Sequence, residues 1–205
     1  MTPDLTTVAV PEMPDGEVVL SPEFFSREDA DRLFGELRAQ VAWAQKPIVL
    51  YGREIMQPRL TAWYGDAEAV YSYSGVTLQP LPWIAPLHEI KLCCDAAAGV
   101  SFNSALANLY RDGQDSMGWH QDNEPELGER PVIASVSLGA VRRFQLRHKK
   151  RRDLATISLE LPHGSLLLMR GTTQQWWKHH VAKTALPVGE RINLTFRVIQ
   201  ERNGP

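Results

Sequence analysis

Cysteine is almost missing from the 205 residues: Cys93 and Cys94 are the only two, and they are adjacent. Neighbouring cysteines make poor disulfide partners, and no further cysteine completes a metal-type spacing. A disulfide scaffold and a cysteine-rich zinc site are thereby excluded. The pair reads as small helix-borne packing residues in a reducing compartment, with a redox pair as the alternative. Long apolar runs are missing too, since none approaches the roughly 20 residues needed to cross a membrane. The opening Met1-Thr2-Pro3-Asp4 lacks the basic and apolar regions of a secretory leader, so a cytoplasmic protein is expected. There is no internal repeat and no low-complexity tract. Charge of one sign is also lacking: the net value is −2, which does not advertise nucleic-acid binding. The distribution is less even. Arg142, Arg143, Arg147, His148, Lys149, Lys150, Arg151 and Arg152 crowd one short stretch. Such a patch can hold phosphates, or it can be a solvated hairpin tip.

What is present is the composition of a soluble globular chain, 43% hydrophobic and 22% charged, long enough for one domain with a real core. Three stretches differ in texture. Residues 1–16 are rich in Pro, Thr and acids and read as a loose extension. Residues 17–99 hold two helices. Ser26 and Asp29 suggest a capped start, and Ala30, Leu33, Phe34, Leu37 and Val41 repeat at helical spacing, which predicts a helix over 27–41. A second is predicted over 85–97, with Gly99 as its stop. Between them Pro, Gly and aromatics recur, predicting short strands and tight turns. Residues 100–205 read as successive short strands at 102–110, 117–122, 132–138, 143–147, 155–161, 165–169, 177–181 and 191–199. Many short strands in one domain predict a mainly-β α+β fold, a double-sheet jelly roll supported by the two helices.

His120 and Asp122 are spaced i, i+2, which in an extended strand puts an imidazole and a carboxylate on one face. His179 can supply a third ligand if its strand runs alongside. Two neutral imidazoles and a carboxylate suit non-haem Fe(II) with coordination positions left open. Alone, His-x-Asp is common, and both residues could be ordinary surface residues. On the last strand Arg191, Asn193, Thr195 and Arg197 share one face, and Ile192, Leu194, Phe196 and Val198 the other. If the polar face lines the interior, two buried guanidiniums need anionic partners, and a dicarboxylate meets that need. If it faces outward, the strand is merely solvated. Asn108 and Tyr110 share a face on an earlier strand and offer hydrogen bonds suited to a carboxylate; core packing is the competing reading.

Taken in order, these residues resemble the AlkB-type Fe(II)/2-oxoglutarate-dependent dioxygenases. The resemblance covers roughly residues 50–198. It rests on Asn108-Leu109-Tyr110, His120-Gln121-Asp122, His179, and the terminal Arg191-Ile192-Asn193-Leu194-Thr195-Phe196-Arg197. Gln57 to Gly65 and Ile133 to Gly139 add to it. It implies that His120, Asp122 and His179 bind Fe(II), and that Arg197 and Asn108 hold the chelating end of 2-oxoglutarate. Arg191, Asn193 and Tyr110 would hold the far carboxylate. His180 neighbours His179, but strand alternation groups His179 with Trp177 and Val181, and the family's spacing to Arg191 also favours it.

The implied chemistry is oxidative demethylation of N-alkylated bases such as N1-methyladenine and N3-methylcytosine. It uses O₂, converts 2-oxoglutarate to succinate and CO₂, and releases formaldehyde. The partner is alkylated DNA, with RNA as an extension, and no membrane or obligate protein partner; the family is usually monomeric. A base must leave its stack to reach such a site. The segment before the second helix would then be a nucleotide-recognition lid. Tyr73, within Tyr71-Ser72-Tyr73-Ser74, is similar to the position that stacks on the flipped base. Tyr51-Gly52-Arg53 resembles a hairpin tip that probes the duplex in some relatives. Glu124 could accept from an exocyclic amino group, or be a surface acid. Arg59 and the turn Lys149 to Arg152 are phosphate-contact candidates. For Trp63 and Trp83 core packing is expected. Two other readings compete: a relative acting on a protein or small molecule, and a metal-bearing jelly roll without catalysis.

Overall fold

A computed structural model of the chain describes residues 5–50, 52–69, 71–73 and 76–200, with only the backbone described at 49–50, 71–73 and 76–78. In chain order the elements begin with β1 (Glu17–Ser21), α1 (Arg27–Gln40), β2 (Pro47–Leu50), β3 (Arg53–Met56) and β4 (Leu60–Gly65). There follow β5 (Tyr71–Tyr73), β6 (Val76–Leu78), α2 (Ala85–Ala98), β7 (Ser104–Tyr110), β8 (Met117–His120) and β9 (Ile133–Gly139). The chain closes with β10 (Arg142–His148), β11 (Ile157–Leu161), β12 (Ser165–Arg170), α3 (Thr173–Trp176), β13 (Trp177–Val181) and β14 (Arg191–Arg197). Both predicted helices are present. The Asp29 amide donates to Ser26 Oγ at 3.1 Å, capping α1. Gly99 ends α2 in the left-handed region at φ 71°.

Among the described residues, ten strands form two antiparallel sheets. The larger runs β1-β12-β9-β14-β7-β4 and the smaller β11-β10-β13-β8. Helices α1 and α2 cover the outer face of the large sheet. There Leu33, Leu37, Leu87 and Ile90 pack with Leu109, Val136, Leu138, Ile192, Leu194 and Phe196. Each such leucine contributes about 1.5–3 kcal/mol when fully buried. A second core lies between the sheets, where Tyr110, Ile133 and Leu167 meet Phe144, Leu146, Leu159, Trp177 and Val181. This is the double-sheet, mainly-β arrangement expected. Hairpins β2–β3 and β5–β6 stand as separate two-stranded ribbons.

Three features differ from expectation. The strand at 117 stops at His120, so Asp122 lies just beyond β8 rather than on it. One-turn α3 has no sequence counterpart, because four residues, Thr-Gln-Gln-Trp, show no period. Residues 5–16 are anchored: Val8 bridges Leu20, Met13 is buried, and Trp177 Nε1 donates to the Pro14 carbonyl at 2.9 Å.

Candidate active site

The alternation of β14 fixes the site. With Ile192, Leu194 and Phe196 against the helices, Arg191, Asn193, Thr195 and Arg197 must point between the sheets. In register, Asn193 sits opposite Asn108 of β7 and Ser137 of β9, and Arg191 opposite Tyr110. Across the gap, the small sheet sets His179 directly opposite His120. The two sheets thus enclose one small cavity of about 40 Å³, lined by all eight residues the sequence nominated for metal and diacid.

His120, Asp122 and His179 bring their ligand atoms within 4.8 Å of one another. The Gly118 carbonyl accepts from His120 Nδ1 at 2.9 Å, which leaves Nε2 with a free lone pair 3.8 Å from Asp122 Oδ1. The i, i+2 geometry therefore converges even though Asp122 has left the strand. His179 is buried, and its Nδ1 has no hydrogen-bond partner among the described residues. Burial, helped by nearby His120, pushes its imidazole down to about 3, keeping it neutral as a ligand must be. Burial works to raise the Asp122 carboxyl, but Arg197, His179 and His120 outweigh it and hold it below its ordinary value. Arg197 Nη2 lies 3.0 Å from Asp122 Oδ1. His180 points away: it stacks on Trp119 at 3.7 Å, and its Nε2 meets Gln145 Oε1 at 2.9 Å.

The guanidiniums are under-satisfied. Arg191 is 1% exposed, and only its Nη2 finds a partner, Ser137 Oγ at 2.8 Å; Nε and Nη1 have none among the described residues. Its guanidinium carbon also lies 5.3 Å from the Tyr110 ring centre. Burial pushes Arg191 down to about 10, partly offset by Tyr110. Arg197 Nε is likewise buried and has no partner among the described residues. An uncompensated buried cation is costly, so this end of the cavity is built for an anion. Ion and diacid fit the two ends of the same space: three convergent ligand atoms beside Arg197, and the under-satisfied guanidinium of Arg191 beyond them.

A family model described as the 2OG-Fe(II) oxygenase superfamily matches residues 17–197. The chain belongs to that superfamily. Within the superfamily it is of the AlkB kind. It is 42% identical over 190 residues to Bos taurus alpha-ketoglutarate-dependent dioxygenase alkB homolog 3, across 89% of this chain and 66% of that protein. To Homo sapiens DNA oxidative demethylase ALKBH2 it is 40% identical over 184 residues, across 85% of this chain and 70% of that one. The chain thus spans just under two-thirds of the length of the alkB homolog 3 relative. The solved structure of OsALKBH1 matches with a TM-score of 0.65 at 18% identity, over 93% of this chain and 100% of that one, which supports the fold. Membership in a 2OG-Fe(II) superfamily supplies both the ion and the diacid that the cavity was found to suit.

The substrate-side nominations fare less evenly. A larger cavity of about 710 Å³ adjoins the metal cavity, sharing Leu106, Met117 and Arg197. Glu124 lines it, and its Oε2 is buried without a partner among the described residues. Arg59 is not a free phosphate contact. It is 7% exposed, donating from Nε to Asn108 Oδ1 at 2.8 Å and from Nη1 to the Ser116 carbonyl at 3.3 Å. Its guanidinium is committed inward, orienting Asn108. The basic stretch is also thinner than it read. Arg142 is buried on the carbonyls of Asp112, Asp115 and Ala182, and His148 is buried between Trp176 and Trp177. Lys149 and Lys150 remain exposed on the β10–β11 turn. Arg53 is exposed on β3. Tyr51 and Ser74 lie outside the described residues, as do the side chains of Tyr71 and Tyr73. Trp83 packs on Phe196 and donates to Asp66, as core packing implies, whereas Trp63 lines the large cavity. Sequence reasoning missed Ser135 and Ser137, which orient Asn193 and Arg191. Their period-two placement within β9 was the available signal. It also missed Gln174, which carried none.

Proposed function

We propose that the chain oxidatively demethylates N-alkylated nucleobases of the N1-methyladenine and N3-methylcytosine type, in DNA and by extension in RNA. The observation that carries this is buried Arg191, with Nε and Nη1 unpartnered among the described residues, at the far end of a cavity whose near end is the His120–Asp122–His179 cluster. Similarity to the relatives named alkB homolog 3 and DNA oxidative demethylase adds the substrate class. In this reading His120, Asp122 and His179 hold Fe(II). Arg197 and Asn108 take the near end of 2-oxoglutarate, and Arg191, Asn193 and Tyr110 its far carboxylate. When bound, the ion and 2-oxoglutarate activate O₂ for hydroxylation of an N-methyl group, giving formaldehyde, succinate and CO₂.

The chain's own residues bind, orient and exclude water. Asn108 is locked by Arg59, and Asn193 by Ser135, so the diacid meets fixed partners. The 710 Å³ cavity is of ligand-binding size. The Glu124 oxygen left without a partner among the described residues suits a cationic methylated base or its exocyclic amino group. The hairpins β2–β3, bearing Arg53 and next to Tyr51, and β5–β6, with Tyr71, Tyr73 and the adjoining Ser74, form the recognition lid. A stacked aromatic contributes about 1–3 kcal/mol per base. The exposed turn around Lys149 and Lys150 contacts phosphates, so binding weakens with salt.

The test incubates the protein with Fe(II), 2-oxoglutarate, O₂ and an oligonucleotide bearing N1-methyladenine, and measures formaldehyde and succinate. Stoichiometric release of both is expected. Succinate without formaldehyde across alkylated strands would point to another substrate, and neither product would remove the assignment.

A further inference from the structure

We propose that Gln174 is a positioning residue for Asp122, and that its side-chain amide sets the affinity of the site for a divalent metal. The inference rests on the triad being the metal site and goes beyond it to the means by which the carboxylate is held.

The difficulty is created by β8. It is an edge strand of four residues, and it ends at His120. Asp122 therefore carries a metal-binding carboxylate on backbone that no sheet ladder fixes. Its amide is buried and must find an acceptor. That acceptor is Gln174 Oε1, at 3.0 Å. Gln174 is 1% exposed and sits on α3, 52 residues away in sequence. The other end of its amide, Nε2, faces Met169 Sδ at 3.4 Å. That contact fixes which way round the amide lies: the reverse orientation would set an NH₂ against the Asp122 N–H and leave oxygen on sulfur. The preceding residue is tied to the same turn, with Gln121 Nε2 donating to the carbonyls of Gln174 at 2.6 Å and Gln175 at 3.1 Å. Helix α3 is in turn pinned through Thr173, which accepts from the Glu17 amide at 2.8 Å.

Gln174 itself neither lines the cavity nor meets a metal-binding atom; it reaches the carboxylate through the Asp122 backbone, and its other end rests on Met169 of the cavity wall. The consequence concerns competition. Asp122 Oδ1 is already 3.0 Å from Arg197, and the carboxylate must serve the ion from that position. With the Asp122 amide released, Gln121 stays tied to the carbonyls of Gln174 and Gln175, but Asp122 loses its backbone anchor and its carboxylate is drawn toward Arg197 and away from the two imidazoles. Outer partners of this type are typically worth about 10–100-fold in metal affinity.

The experiment compares wild type with Gln174→Met, which keeps length and volume but removes the acceptor. Leu33→Ala, a core change on the far side of the large sheet, serves as the stability control. Co(II) is titrated by its visible absorption, and thermal unfolding of the metal-free proteins is followed in parallel. Gln174→Met should bind Co(II) about 10–100-fold more weakly. Leu33→Ala, although less stable, should bind like wild type. Wild-type affinity in Gln174→Met, or equal weakening in Leu33→Ala, overturns the proposal. If Gln174→Met does not fold, amide hydrogen exchange in metal-free wild type decides. Protection at Asp122, outside any strand, supports the bond, and free exchange there refutes it. Wild type that binds no Co(II) would instead defeat the metal-site reading itself, and that outcome is distinct from the exchange result.

Discussion

Replacing Arg191 with methionine should separate ligand binding from fold stability. In the ligand-free protein the guanidinium is a burden as much as an asset. Its displacement to about 10 from 12.5, at about 1.4 kcal/mol per pH unit, corresponds to roughly 3–4 kcal/mol against the charged form, a figure in which the favourable effect of Tyr110 is already included. The hydrogen bond to Ser137 opposes that cost by about 1.5–3 kcal/mol. These nearly cancel, so Arg191→Met should change the stability of the ligand-free protein by less than about 2 kcal/mol in urea unfolding. The diacid should not be so forgiving. Losing one partner of a buried charge pair costs about 2–5 kcal/mol, which is roughly 30-fold to several thousand-fold in affinity. Calorimetric titration of Mn(II)-loaded protein with 2-oxoglutarate reads this directly. If Arg191→Met instead cost about 3–5 kcal/mol of stability and left 2-oxoglutarate affinity intact, the guanidinium would already own an anionic partner inside the protein and would not anchor the diacid.

His179→Ala should abolish Co(II) binding, whereas His180→Ala should retain it and lose only about 1 kcal/mol of stability from the Trp119 stack; the reverse pattern in a metal titration would exchange their roles. Asp115 is held below its ordinary value because two-point bonding to Arg111 outweighs the opposing effect of burial. A lowered carboxyl stabilises the fold fully above the unfolded value near 4 and progressively less as pH falls through the folded one. Asp115→Asn should therefore lower the melting temperature at pH 7 and flatten its decline below about pH 4; parallel melting curves for the two proteins would contradict this. Gly139→Ala should destabilise by about 1–3 kcal/mol in urea unfolding, since φ is +89° and a Cβ would meet the Glu190 carbonyl and the Phe34 ring. An unchanged midpoint would show that this corner relaxes freely.

Much of the site was readable because β14 states both of its faces in seven letters. Alternation named which residues belong together, and the cost of bare guanidiniums named the ligand class. Helix α1 was readable for a similar reason, since the Ser26 cap and the 30, 33, 37 spacing agree. What escaped was whatever depends on contacts between distant segments without a period. Asp122 looked like a strand residue because i, i+2 is the strand repeat, yet it leaves the ladder and is held by Gln174. Arg59 and Arg142 looked like surface cations, because a sequence does not show which guanidiniums are drawn inward by carbonyls and amides. The anchoring of residues 5–16 was invisible too: one buried methionine and a carbonyl meeting Trp177 make no pattern.

Strand β14 also couples assembly to function in a way that admits no half measures. Its aliphatic side seals the helices to the sheet while its charged side lines the cavity, so a slip of one residue would thrust two guanidiniums among leucines and line the cleft with isoleucine and phenylalanine. A chain that reaches its compact state has, by the same registration, brought both guanidiniums into the cleft, and misaligned forms are penalised by the core itself.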